Sequence, residues 1–587
     1  MDTGRAMTRL LLPLVFAASF AAAPAAQTAP PQGAAPVAPA ATTASAVDAP
    51  HMRITTLGPQ GWRIRLGPTN VGLLLDSEAG RALWGDYATA MSAAVGGLFE
   101  VEADWLAAQR SFLDYDGTIH IAAWFDDDAA RDGLRAAWLV AEADGHTDMQ
   151  KLATALHVLQ DQTPGEWDEA TVGETRMRVR KGPFSSMSEA RVVDGHLVLA
   201  VTRAETEPLA ALHRAAGAVL ANAPTRAPHR QADRRALAEA AQKPPLVVEF
   251  APAAMLTSMG MSKDDTAVWS LSGAEGLRDV ALTLTSAGPH IVMEAAASFA
   301  DAPTGLFRVL TAPRATLPKL VRALPAGAPT FRLGHFDFAA MWDFFVGVMA
   351  AERETTTEAM AKELATDLGV DLGDGFFRLL GDEVLMTTKP VDDPDRPAKA
   401  TWAVTIAVKD GARFAPALQA LIDALKPNVT RLETETIGGV ACSRYGNILN
   451  YPLWLGAGAR GFYLAGGSEA EDELAALIAA VETAPADAAT PTAIDAAFDG
   501  LRRALPAGMS GASRYDLQHG SVLYDALFAG FGGMLLGNPF FDGAEFDPEA
   551  AAAAKEAWLE RLRANNLATV RTATGYANRT WRFRLYW

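Results

Sequence analysis

His335 with Asp337, and His519 with Asp516, are the residues whose types and spacing come nearest to chemistry. Each pair lies on or just after a stretch that reads as a strand leading into an apolar helix, with Arg332 and Arg514 upstream. A carboxylate beside an imidazole orients the ring and steadies its cation, which is what proton transfer needs. The plainer role, a hydrogen-bonded structural group, is the commoner one for such pairs. His335, Asp337, Asp516 and His519 are therefore the candidates for a polar site. No catalytic, cofactor or metal residue is assigned beyond them, and no cofactor is expected.

Other chemical strings fail on context. Gly456, Gly458 and Gly461 spell G-x-G-x-x-G, but a dinucleotide fingerprint follows a strand and opens a helix. This one precedes the strand expected at 462–465, so it reads as a hairpin turn. None of the ten histidines falls in an H-E-x-x-H or H-x-x-E-H run, which removes zinc peptidases of the pitrilysin type. Ser510 misses G-x-S-x-G by one glycine, and neither S-x-x-K nor a Walker loop is present. Acidic loops at 126–128 and 392–395 offer carboxylates to calcium, yet neither has EF-hand spacing, and solvated hairpin tips are commonly acidic. Cys442 is the single cysteine, which excludes an intramolecular disulfide and leaves a core-packing role.

The elements that must position these residues recur. Residues 403–408 read as a strand, 414–425 as a helix, Gly438-Gly439 as a hairpin turn, 461–465 as a strand and 471–481 as a helix. The same order is read at 138–143, 148–159, Gly173, 196–201 and 208–220. Leu152 and Leu418, and Leu199 and Leu464, match at a spacing of about 265 residues, the mark of an internal repeat. Hairpins are expected through Gly288 and near Asn578, and strands at 62–66 and 71–75. The expected class is α+β: two homologous copies of a mixed helix and antiparallel-sheet unit, at 51–315 and 316–587. In the last segment Trp581, Phe583 and Leu585 alternate with Arg582, Arg584 and Tyr586, so one face should be buried in a sheet.

The start of the chain looks like an export signal. Arg5 and Arg9 precede an apolar run and an Ala23-Pro24-Ala25 cleavage pattern, so 1–25 is expected to be a signal peptide. Residues 26–50, rich in Ala and Pro, are expected to be a disordered tether. No later run is long and apolar enough for a transmembrane helix after signal removal. The net charge of −18 disfavours nucleic acid, whose phosphates would be repelled. A polar, Arg-rich connector is read at 226–242.

Leu324-Pro325-Ala326-Gly327, the stretches 331–345 and 372–377, and Leu380-Gly381-Asp382-Glu383-Val384 together resemble a poorly characterised family of large secreted bacterial proteins, mainly over 246–388. The resemblance implies export and architecture, and it brings no catalytic residues. The expected function is an exported, non-enzymatic binding, scaffold or envelope-associated protein, periplasmic or extracellular, with a protein, glycan or lipid partner. The alternative is an exported hydrolase whose site is assembled from scattered carboxylates and histidines.

Overall fold

The computed structural model describes residues 52–75, 115–125, 134–142, 148–161, 166–172, 175–181, 186–193, 195–202, 246–251, 270–311, 314, 316–325, 328, 330–389, 401–425, 430–448, 451–467, 469–483, 509–516, 560, 569–576 and 580–587. The described residues divide into two compact units. One falls within Gln32–Asp265 and Arg278–Ala296, the other within Thr266–Leu277 and Ala297–Trp587.

In the first unit the strands are β1 (Met52–Leu57), β2 (Thr118–Phe125), β3 (Leu134–Ala141), β4 (Trp167–Val172), β5 (Thr175–Lys181), β6 (Ser186–Ser188), β7 (Arg191–Val193), β8 (His196–Thr202), β9 (Leu246–Phe250) and β10 (Leu277–Ala287). Antiparallel pairing orders six of them β10–β9–β1–β2–β3–β8. Beyond β8 lie two short strands, β6 at one end and β7 at the other, and β6 continues into the β4–β5 hairpin. Three helices are described here: α1 (Pro59–Leu66), α2 (Asn70–Leu75) and α3 (Met149–Asp161). Helix α3 buries Met149, Leu152 and Ala153 against Tyr115, Ile119, Ala141 and Leu197.

The strands expected at 62–66 and 71–75 are corrected to helices α1 and α2. Trp62, Ile64 and Leu66 alternate with Arg63 and Arg65, which imitates a strand. Local capping overrides that pattern. Pro59 occupies the first turn with its φ already helical, and the Trp62 N–H bonds Gly58 O at 2.9 Å. At α2, Thr69 Oγ1 accepts from the Gly72 N–H at 3.0 Å, a side-chain cap on a free amide.

A strand β11 (His290–Phe299) follows β10 across a turn in which Gly288 has φ +58°, a conformation open to glycine at little cost. The second unit then holds β12 (Thr330–His335), β13 (Leu380–Lys389), β14 (Thr401–Val408), β15 (Thr430–Ile437), β16 (Val440–Ile448), β17 (Tyr451–Ala457), β18 (Gly461–Gly466), β19 (Gly511–Asp516), β20 (Thr569–Tyr576) and β21 (Thr580–Tyr586). They pair antiparallel in the order β21–β20–β19–β12–β13–β14–β18–β17–β16–β15. Its helices are α4 (Gly305–Thr311), α5 (Phe338–Glu352), α6 (Thr357–Leu368), α7 (Gly411–Leu425) and α8 (Ala470–Thr483).

Both faces of the middle of this sheet are apolar, and alternation along each strand sends side chains to one cover or the other. Leu385, Ala403 and Ala465 meet Leu474, Leu477 and Ile478 of α8 on one side. Val404 and Ile406 meet the aromatic layer of Trp342, Phe376, Phe414 and Phe462 on the other. Phe376 and Phe414 lie 5.0 Å apart by ring centroids, and Phe414 and Phe462 5.3 Å. Each such side chain contributes about 1.5–3 kcal/mol by leaving water. At the C-terminal strand, Trp581 and Phe583 are buried and Leu585 is partly buried, all on one face of β21.

The α+β class of two homologous copies is corrected. Among the described residues there are twenty-one strands, eight α-helices and only antiparallel pairings, which makes the architecture mostly β and gives no clear α+β duplication. The excess of strand lies in segments that no expected element covers, such as β1, β6 and β7. Strands β6 and β7 are three residues each, too short for apolar alternation to announce them.

Candidate functional site

Arg514 of β19 and Arg571 of β20 stand directly opposite each other. On the far side of β19, β12 sets Phe331 opposite Arg514. Beyond β20, β21 sets Tyr586 opposite Arg571, and Arg584 opposite Ala573. Opposed residues share a face and alternate residues return to it. One face of these four strands therefore carries Phe331, Arg514, Arg571 and Tyr586 in a row, with Arg584 two residues from Tyr586 on the same face, bordering the apolar core of Leu333, Ala512 and Ala573. The Nε atoms of Arg514 and Arg571 are buried without a hydrogen-bond partner. The Arg584 guanidinium lies 5.3 Å from the Tyr586 ring centroid.

Burial, and secondarily the charge of Arg514, pulls Arg571 below the usual guanidinium value. Like charges directly opposite on a sheet destabilise it by roughly 0.2–1 kcal/mol. A planar guanidinium presents parallel N–H donors that fit two oxygens of one anion, and two such groups over an apolar floor can hold an anion strongly.

The residues singled out from the sequence separate. His335 ends β12 with its side chain 6% exposed. Its Nε2 donates to Thr316 O at 2.8 Å. Its Nδ1 stands 3.6 Å from Asp382 Oδ2, an ion-pair rather than a hydrogen-bond distance. Arg314 Nε donates to that same oxygen at 2.6 Å. His335, and after it Arg314, hold Asp382 well below the usual carboxylate range against the opposing effect of burial. Asp337 takes no part: its Oδ1 caps α5 by accepting from the Ala340 N–H at 2.9 Å, and its Oδ2 accepts from Arg308 Nε at 2.8 Å. Asp516 ends β19, where its N–H donates to Thr330 Oγ1 at 3.0 Å. Thr330 and His335 are opposite ends of β12, on the order of 16 Å apart at strand rise, so Asp516 borders the arginine row and not the histidine. His519 lies outside the described residues, as do the acidic loops at 126–128 and 392–395 and the Arg-rich connector at 226–242.

The first unit holds a polar line that the sequence reading passed over. The register places Thr55 of β1 opposite His120 of β2. Glu142 Oε1 lies 2.9 Å from His120 Nε2, and Thr55 Oγ1 lies 3.2 Å from His120 Nδ1. With the carboxylate accepting from Nε2–H, the lone pair of Nδ1 faces the Thr55 hydroxyl. The Tyr115 hydroxyl lies 2.7 Å from Glu142 O and 3.0 Å from Thr118 O, fixing the backbone at Glu142 just beyond β3. His120 alternates with Ile119 and Ile121 in an ordinary strand, so only the register exposes the line.

The remaining strings resolve as structure. Ala457 closes β17 and Gly461 opens β18, so the glycine-rich string is their turn. Cys442 is buried, and burial pushes its thiol up to about 11. Ser510 is buried, with its N–H on Thr574 O at 2.7 Å. Among the described residues no three His, Cys, Asp or Glu side chains converge as metal ligands.

No protein-family model matches the chain, and no curated protein matches it. Two crystal structures of TP0453 are similar to it in part. Crystal form III covers 46% of this chain and 85% of its own, at 9% identity and a TM-score of 0.23. Crystal form I covers 46% and 84%, at 8% identity and a TM-score of 0.22. Likeness at that level transfers neither fold nor function.

Proposed function

We propose that this chain is an exported, non-enzymatic binding protein that takes an anionic ligand on the face carrying Arg514 and Arg571. One observation carries the reading: two opposed guanidinium groups on neighbouring strands, with buried Nε donors left unmatched. A sheet that faces two like charges across one register position gives up stability, and an anion recovers it. Export to the periplasm or the medium rests on the charge and apolar pattern of residues 1–25, which lie outside the described residues. Among the described residues no helix is long and apolar enough to cross a membrane. The test is thermal unfolding of the full chain in chloride, sulfate, succinate and phosphate at fixed ionic strength. Polyatomic anions should raise the melting temperature of the wild type and not of R514Q/R571Q. Equal gains in both proteins, or none in either, would refute the reading.

The rival reading, a hydrolase, is favoured by the line Thr55–His120–Glu142, which sets a hydroxyl, an imidazole and a carboxylate in the order acyl transfer uses. The same bonds also serve to satisfy a buried histidine in a sheet. Hydrolysis of p-nitrophenyl acetate by the wild type, lost in T55V and H120Q with folding intact, would favour the hydrolase.

A further inference from the structure

We infer that the anion held at Arg514 and Arg571 is a single phosphoryl group; this rests on the anion-binding reading and narrows it. Residues opposed across an antiparallel ladder have Cα atoms about 4.5–5.5 Å apart, so the two guanidinium groups reach one small ligand together. Each planar group gives two parallel N–H donors, and the pair brings two positive charges. A carboxylate has two oxygens in one plane and a single charge, which leaves one arginine unmatched. A phosphate monoester has three terminal oxygens in a tetrahedron and about −1.5 to −2 charge at pH 7, which answers both.

The surroundings set the size. Phe331 beside Arg514, and Tyr586 beside Arg571, close the row at either end with aromatic side chains. Arg584 stands over Tyr586 and adds a third positive charge on the same face. Asp516, two residues beyond Arg514 on that face, sets a negative border against a longer polyanion. The net charge of −18 repels polyanions in general, so the ligand is one phosphoryl group and not a phosphate backbone.

The experiment compares inorganic phosphate, succinate and sodium chloride at equal ionic strength, using thermal unfolding of the full chain. A second arm measures co-flotation with phosphatidylcholine vesicles, with and without phosphatidic acid. Phosphate well above its dissociation constant should raise the melting temperature by roughly 2–4 °C over succinate. The gain should vanish in R514Q and in R571Q, and return in part in R571K. Circular dichroism of R571Q, which loses a like-charge contact, checks that it folds. A phosphate effect without flotation assigns a soluble phosphomonoester; flotation that requires phosphatidic acid and both arginines assigns a lipid headgroup. If succinate matches phosphate, the phosphoryl assignment falls and the anion-binding reading stands. If neither anion nor vesicles act, both fall.

Discussion

The two sheets share an order of pairing around their central strands, yet each sets charged residues against one another in a different way. Between β1 and β9 the register faces Arg53 with Glu249, each only 6% exposed. Between β19 and β20 it faces Arg514 with Arg571. A buried charge is tolerated when an opposite charge answers it. The first rung sets opposite charges in register. The second is open, with two cations beside an apolar floor. The shared order does not restore an α+β duplication, since two short strands, β6 and β7, lie beside β8 where the continuous β17 lies beside β18.

Deleting residues 580–587 should have the largest effect on this contrast. It removes the partner of β20 and exposes Trp581 and Phe583, at an expected cost on the order of 5 kcal/mol or more, comparable to a domain's whole stability. Urea unfolding should show the second unit lost first; an unchanged transition would make β21 peripheral. Next in size is the rung of Arg53 and Glu249. E249Q removes the buried charge in register with Arg53, and breaking such an arrangement costs about 3–5 kcal/mol of unfolding free energy. The double variant R53M/E249L should recover much of that loss.

A smaller effect is pH-dependent. The folded-state value of Asp382 is depressed, so its contribution is fully present above the unfolded carboxylate value of about 3.9 and is lost as pH falls below that. Stability against urea should decline below about pH 4 by roughly 1–2 kcal/mol more in the wild type than in D382N, given how far Arg314 and Asp382 are exposed. The smallest effect has the opposite sign. R571Q in a buffer free of polyatomic anions should stabilise the sheet by about 0.2–1 kcal/mol, because it removes one of two like charges in register.

Local elements were legible wherever turn chemistry and alternation agreed. The turn at Gly288 with its flanking strands, the Gly438-Gly439 hairpin and the aromatic alternation of β21 all read directly from the sequence. Short strands did not. Residues 186–188 and 191–193 are too brief for alternation, and their strand character comes from pairing with β8. Such unannounced strand content is why the class read as α+β. The candidate site was half legible. Arg514 was noticed as a neighbour of Asp516, but Arg571 is an ordinary arginine until the β19–β20 register places it opposite. His335 stands near a carboxylate, but not the one closest to it in the sequence. The nearby Asp337 is consumed as a helix cap, and Asp382 arrives from the neighbouring strand across a pairing that sequence proximity does not report.

R571E tests the open rung most directly, because it puts opposite charges in register there, as Arg53 and Glu249 are in the first unit. The measurement is the melting temperature of the full chain with and without phosphate, at constant ionic strength. The expected result is a higher melting temperature in phosphate-free buffer than the wild type has, together with loss of the phosphate-dependent gain. A phosphate gain as large in R571E as in the wild type would contradict the assignment of Arg514 and Arg571 as the ligand-holding pair.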